Sequence, residues 1–317
     1  MVLLHDGDEF IPGVGVKVNR MSPNQLKEKE GPKDLPGWVK KSESGFLSQF
    51  QQLSKFIHIT IGAISRLRGL PKLVEAIAAL DRVRNEPTAA EESGDTEILD
   101  SEAKSGHQRK LERAKEEAAF AEQEIANDFP FLHGQAVVYA WSVLEAYVRG
   151  VAKNFLVHEP IALKQEVATK IKIPLADYQR MTDEGRMEYI IKEIADELRS
   201  PLEQGIGQFE IVLNAFGLGG AVPADTRKDI FELQQVRNVL VHRGGIADLR
   251  LITACPWLKL NSGQSVLISH EMFARYGAAV IRYVFIIRQR IRSYFGLSIE
   301  EWEVTNQDNR KLSNETT

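Results

Sequence analysis

Three residues suited to chemistry lie close together in residues 231–246, which read FELQQVRNVLVHRGGI: Arg237, Asn238 and His242. An imidazole gains or loses its proton near neutral pH, and a guanidinium binds carboxylates or phosphates through a planar fork of donors. On a helical projection Arg237 falls inside the apolar arc of this segment, where an unpaired charge is costly. Arg237 must therefore meet a carboxylate, a phosphate or a water-filled seam.

The same segment is the end of a predicted helix. Asp225 or Thr226 can cap its start, since short polar side chains accept the free N–H groups of a first turn. Gly244 and Gly245 can end it, because glycine readily takes the left-handed backbone that closes a helix.

The directions of these three side chains limit how many of them one copy of the chain can bring to a single substrate atom. On an ideal helix Arg237 and His242 point about 140° apart, whereas Asn238 and His242 share a face. Either the helix loosens before its glycines, or two copies face each other across a twofold axis.

The pattern Arg237-Asn238-x-x-x-His242, followed by a double glycine, resembles the R-x4-6-H signature of the HEPN superfamily, which often has Asn directly after the Arg. A nearly all-apolar helix upstream, residues 136–148, and a long helix downstream, residues 271–295, add context. The resemblance covers about residues 104–296.

The resemblance implies metal-independent cleavage of RNA with no cofactor. His242 would act as general base or acid on the ribose 2′-hydroxyl, and Arg237 would bind the scissile phosphate. Asn238 would orient the histidine or bind a phosphate oxygen, and Arg243 could add to phosphate binding. The expected product carries a 2′,3′-cyclic phosphate.

The resemblance also implies an all-α, up-and-down bundle that forms a homodimer through the signature helix, with both Arg/His pairs in one cleft. A toxin, a phage-defence effector or an RNA-processing enzyme are the settings it suggests; an antitoxin or other regulatory partner stays unknown. HEPN toxins that pair with a nucleotidyltransferase antitoxin often carry a Tyr two residues after the His. Gly244 takes that place here, which puts such a modification in doubt.

Glu145 is the one charge between residues 134 and 148, and two interpretations stay open for it. It can pair with Arg149 four residues on, at the helix surface, or it can be a buried carboxylate that holds a catalytic Arg or His as a substrate-binding or supporting residue. In a purely structural alternative, Arg237 pairs with Glu145 in the core and His242 only hydrogen-bonds at the helix end.

Bulk properties exclude several classes. The chain has 317 residues, a formal net charge of −4 and one cysteine, Cys255, so a disulfide framework is excluded and a cytoplasmic setting is expected. No Cys/His spacing predicts a metal site. The residues near the N-terminus are acidic where a signal peptide is basic, and arginines interrupt the apolar run near the C-terminus, so we expect no membrane span.

Composition and periodicity divide the chain into four parts. Residues 1–85 form an N-terminal extension with loops, a possible strand at 13–18 and a helical hairpin at 46–68 and 72–83. Residues 86–106 are acidic and predict a flexible linker. The HEPN-like helical domain follows at 107–297, with helices at 107–127, 131–156, 183–198, 206–216 and 271–295 and an irregular or β flap at 246–269. Residues 298–317 form a tail.

Two further points stay open at this level. Arginines 275, 282, 288, 290 and 292 on the final helix favour a solvated face, with an RNA track as the alternative. A non-catalytic HEPN module that binds RNA or a protein partner is the main alternative to an endoribonuclease, and a purely structural helical dimer is the second.

Overall fold

In the computed structural model, which describes residues 34–84, 96–198 and 204–299, the protein is all-α, as predicted. The helices are α1 (Gly37–Leu67), α2 (Leu70–Arg84), α3 (Thr96–Ala126), α4 (Pro130–His158), α5 (Gln165–Ala168), α6 (Leu175–Arg180), α7 (Asp183–Leu198), α8 (Gly207–Ala215), α9 (Ala224–His242), α10 (Leu249–Ala254) and α11 (His270–Tyr294). None of the described helices combines the length and apolar character needed to cross a membrane.

Helix α4 is the centre of the bundle, as its nearly all-apolar sequence predicts. It packs against α1, α7, α8 and α9. The predicted stripe on α4 is buried throughout; its members are Leu132, Ala136, Ala140, Leu144, Tyr147, Val151 and Phe155.

The N-terminal hairpin is part of this bundle. Residues 37–290 form one compact unit, in which Leu53 and Ile57 of α1 share a core cluster with Leu132 and Ala136 of α4. The extension therefore shares a hydrophobic core with the domain that was expected to begin at residue 107.

Helix α1 begins at Gly37 rather than at residue 46. Its first turns are buried through Val39, Glu43 and Phe46, which are spaced as one helical face. The charged member at 43 hides this periodicity in the sequence.

Helix α3 begins at Thr96, so the predicted linker at 86–106 is wrong over 96–106. A polar, acidic composition cannot form a core, but Glu, Ala and Lys favour a helical backbone. The rest of the linker, at 86–95, lies outside the described residues, as do the possible strand at 13–18 and residues 300–317 of the predicted tail.

The predicted flap at 246–269 contains more helix than expected. Asp248 caps α10 by accepting a hydrogen bond from the Leu251 N–H at 2.9 Å, and residues 256–258 of the flap form a 3-10 helix. A single antiparallel bridge joins Ile246 to Ser265, and no described residue belongs to a longer strand. Ser269 caps the last helix, because its Oγ accepts from the Met272 N–H at 3.2 Å.

The arginines of α11 up to residue 290 pair with carboxylates of the bundle and keep part of their surface exposed. Arg282 pairs with Asp225, Arg288 with Glu43 at 3.6 Å, and Arg290 with Glu210 at 2.8 Å. Sequence alone could not find these pairs, since each joins residues more than fifty positions apart.

The second compact unit holds the two ends of the chain; its described residues are 34–36 and 291–299. Here the chain turns at Gly296, whose φ of 69° lies in the left-handed region that favours glycine. The Leu297 N–H donates to the Arg292 carbonyl at 2.9 Å, which closes the end of α11.

Candidate functional site

Helix α9 carries the predicted site and is fixed along its length. Ile230, Leu233 and Val236 are fully buried, and Leu240 packs over Gly134 of α4. Just before α8, Gly205 lies so close to Phe231 that a Cβ at position 205 would stand 2.9 Å from the Phe231 Cα, so only glycine fits there.

The end of α9 follows the sequence prediction, while its start differs. Gly244 and Gly245 have φ of 60° and 78°, and the Gly245 N–H donates to the Val239 carbonyl at 3.2 Å. At the start, Pro223 occupies the cap position instead of Asp225 or Thr226, because the helix already begins at Ala224.

Arg237 lies half-buried on α9 without a carboxylate partner among the described residues. Its Nη1 donates to Asn238 Oδ1 at 3.2 Å, and its Nε is buried with no hydrogen-bond partner. A guanidinium with a buried, unsatisfied N–H retains the capacity to bind an anion.

His242 lies exposed at the last position of α9. Within the described part of the chain, no hydrogen bond or ion pair joins it to Arg237, in keeping with the angle of about 140° on an ideal helix. Next to it, Arg243 Nε lies 3.5 Å from Asp248 Oδ2, so part of its charge is balanced within the chain.

Glu145 follows the surface interpretation. Its Oε1 accepts from Arg149 Nη2 at 2.9 Å, and it lines a cavity of about 880 Å³ between α4, α7 and α8. No hydrogen bond or ion pair between Glu145 and Arg237 occurs in the described structure, so their buried pairing, the structural alternative, is not found.

A buried carboxylate that sequence reasoning missed stands two turns before the site on α9. Glu232 is completely buried and accepts hydrogen bonds from Arg275 Nη2 at 2.5 Å, Tyr276 Oη at 2.6 Å and Trp257 Nε1 at 2.5 Å. Arg275 also pairs with Asp229. These contacts fasten α9 to α11 and to the 3-10 helix Pro256–Leu258.

The protonation states in this network follow from burial and hydrogen bonding. Burial alone would raise the pKa of the Glu232 carboxyl, but donation by Arg275, Tyr276 and Trp257 outweighs it and lowers that pKa. Burial and the nearby Glu232 charge raise the pKa of the Cys255 thiol to about 12. Cys255 is therefore a thiol at neutral pH and is not a candidate nucleophile.

One further titratable group is buried elsewhere. His133 on α4 is fully buried, and its Nδ1 lies 2.8 Å from the Asp128 carbonyl oxygen. Burial lowers its pKa, so the ring is neutral at pH 7 and serves as a packing residue. In the described residues, no three His, Cys, Asp or Glu side chains come together as a metal site.

Comparison with known proteins gives no match: no family model fits the chain, and no curated protein or solved structure is similar to it. The assignment of a function therefore depends on the residues and contacts described above.

Substitution of Arg237 and substitution of Arg275 should have very different effects on the free energy of unfolding. Arg237→Ala should change the free energy of unfolding by less than about 1 kcal/mol, since it leaves no carboxylate unpaired. Arg275→Ala, the matched control, should cost about 3–5 kcal/mol because it strands the buried Glu232 charge. Urea unfolding of both variants measures the difference.

A double-mutant cycle between Arg237 and Glu145 should give a coupling energy near zero, below the roughly 0.5 kcal/mol typical of residues in contact. If Arg237→Ala caused a large loss of unfolding free energy and Glu145→Ala reversed it, the two residues would form a structural pair and Arg237 would not be free to bind an anion.

Proposed function

We propose that the chain is a HEPN-like endoribonuclease, which cleaves RNA without a metal at a site formed by Arg237, Asn238 and His242. The proposal draws on the resemblance of these residues to the R-x4-6-H signature and on the all-α fold, with an apolar central helix before α9 and a long helix after it. It keeps the cytoplasmic setting that the single cysteine suggests.

The proposal depends mainly on the unbalanced charge and the unpartnered Nε of Arg237. A cation inside an apolar arc needs a counter-charge, and the described chain supplies no carboxylate to it. The buried, unpartnered Nε adds an unmet hydrogen-bond donor. A phosphate oxygen meets both requirements, since a guanidinium fork matches two phosphate oxygens.

The proposed reaction is transesterification. His242 removes the proton from the ribose 2′-hydroxyl, the 2′-oxygen attacks the phosphorus, and the bond from phosphorus to the 5′-oxygen breaks. A proton returned to that 5′-oxygen completes the step and leaves a 2′,3′-cyclic phosphate. Arg237 stabilises the negative charge that develops on the phosphate, Asn238 orients the imidazole or binds a phosphate oxygen, and Arg243 adds a partly balanced charge.

A second copy would complete the site. Since Arg237 and His242 diverge on one helix, an isologous dimer brings the Arg237 of one copy toward the His242 of the other. Apolar side chains surround the end of α9 and are exposed, as a surface that pairs with itself requires: Val241 at 46%, Ile246 at 41%, Leu249 at 72% and Leu267 at 55%.

The main alternative is a non-catalytic HEPN module that binds RNA or a protein partner. It is favoured by the separation of Arg237 from His242 within a single chain, which leaves one copy able to bind a phosphate without a base beside it. The biological setting, whether toxin, phage-defence effector or RNA processing, and any antitoxin or regulatory partner follow only from the family resemblance.

Cleavage of single-stranded RNA in EDTA tests the assignment. Wild-type protein should cleave, and His242→Ala should lower the rate by at least about 100-fold, the contribution of a general acid–base residue, with an unchanged melting temperature because His242 is exposed. Arg237→Lys should fold normally but cleave poorly, since lysine keeps the charge without the fork.

His133→Gln is a control histidine variant that should keep activity when folded. RNA binding without cleavage favours the alternative, and activity that survives His242→Ala rejects the site.

Assembly gives an independent test. Light scattering should give twice the chain mass of 35.7 kDa at micromolar concentration. Leu249→Asp should shift the protein to monomers and abolish cleavage, because a charge would be buried in the apolar contact. Leu80→Asp, at an equally exposed leucine on α2, should leave both properties unchanged. A wild-type monomer that cleaves RNA would exclude the two-copy site.

A further inference from the structure

Trp257 is an exposed aromatic side chain with an unusual support. It keeps 39% of its surface exposed, while its indole Nε1 donates to the buried Glu232 at 2.5 Å. The short 3-10 helix that carries it is closed by the Lys259 N–H, which donates to the Pro256 carbonyl at 3.2 Å. The ring is therefore held by its polar edge, with part of its surface left to solvent.

One cation lies over this ring, and two more belong to the same flap segment. The Lys228 Nζ lies 4.6 Å from the ring centroid of Trp257. Arg250 on α10 and Lys259 belong to the same flap segment, and both are exposed. Lys228, Arg250 and Lys259 have no carboxylate partner in the described structure, whereas Glu232 and Asp229 both pair with Arg275.

From these observations we infer that Trp257 is a stacking platform for a nucleobase of single-stranded RNA, with Lys228 binding a phosphate of the same strand. Aromatic rings flanked by cations bind single strands in this way, because every base offers a π-face and every linkage a negative charge. The inference rests on the proposed function and adds a substrate-binding subsite to it.

The position of the ring suits a strand that also reaches His242. Glu232, which holds Trp257, precedes His242 by ten residues on α9, or about 15 Å along the helix axis. At roughly 3.4 Å of rise per nucleotide in a stacked strand, this distance spans about four nucleotides. A base on Trp257 would thus fix the register of the strand at the cleavage site.

Binding in EDTA tests the subsite. The parent protein is His242→Ala, which prevents cleavage, and the probe is a short fluorescein-labelled oligouridylate followed by fluorescence anisotropy. Two substitutions separate stacking from support: Trp257→Phe and Trp257→Leu both lose the hydrogen bond to Glu232, but only phenylalanine keeps an aromatic face. Trp257→Leu should weaken binding roughly tenfold relative to Trp257→Phe.

Two controls identify the stacked base. Inorganic polyphosphate, which has the charges of RNA but no bases, should compete equally well for both variants. RNA should quench tryptophan fluorescence in the parent, and this quenching should disappear in Trp257→Phe although Trp38, Trp141 and Trp302 remain.

Equal RNA affinities of Trp257→Phe and Trp257→Leu would overturn the inference, as would quenching that persists in Trp257→Phe. RNA affinity that falls together with polyphosphate affinity and melting temperature would assign Trp257 a structural role only. The proposed function fails separately, through a wild-type protein that does not cleave RNA.

Discussion

The buried carboxylate of Glu232 is the interaction on which the candidate site depends. A carboxylate with no solvent exposure is stable only when donors satisfy it fully. Arg275, Tyr276 and Trp257 do this from two other elements, so one group fixes α9 relative to α11 and to the flap. The end of α9 that carries Arg237 and His242 is held in place by these hydrogen bonds to Glu232 and by the packing of Leu240 over Gly134.

The contrast between the two arginines of this region connects stability with function. Arg275 forms ion pairs with Asp229 and Glu232, so its positive charge is balanced within the fold. Arg237 lies five residues after Glu232 on α9, and its hydrogen-bond partner within the described part of the chain is the Asn238 side chain. Four arginines of α11 pair with carboxylates, whereas no described residue offers a carboxylate to Arg237. Arg237 is therefore available to bind an anion, which is the physical basis of the proposed RNA site.

The sequence predicted the parts of the fold that depend on local periodicity. Local sequence predicts the apolar stripe of α4, the bounds of α7 and the glycine end of α9, because each is set by residues within a few turns. Glu43 hid the first turns of α1, since a buried charge breaks the apolar pattern, and the acidic composition of residues 96–106 concealed a helix.

For the candidate site, local sequence located Arg237, Asn238 and His242 on one helix and gave the angle between their side chains. It could not find the Glu232 network, whose members at 232, 257, 275 and 276 come together only through tertiary packing. It also left two roles open for Glu145, which the ion pair with Arg149 resolves. Residues that act across long sequence separations carry no periodic signal, and this is why the contacts that support α9 could not be predicted.

The central claim is that a ribose 2′-hydroxyl attacks the phosphate at the Arg237–His242 site. The direct measurement uses an RNA oligonucleotide with a single 2′-deoxynucleotide at a mapped cleavage position, incubated with wild-type protein in EDTA, with product ends determined by mass spectrometry. We expect no cleavage after the deoxynucleotide and 2′,3′-cyclic phosphate ends at every other cut. Cleavage after the deoxynucleotide at the normal rate, or 3′-hydroxyl ends, would contradict it.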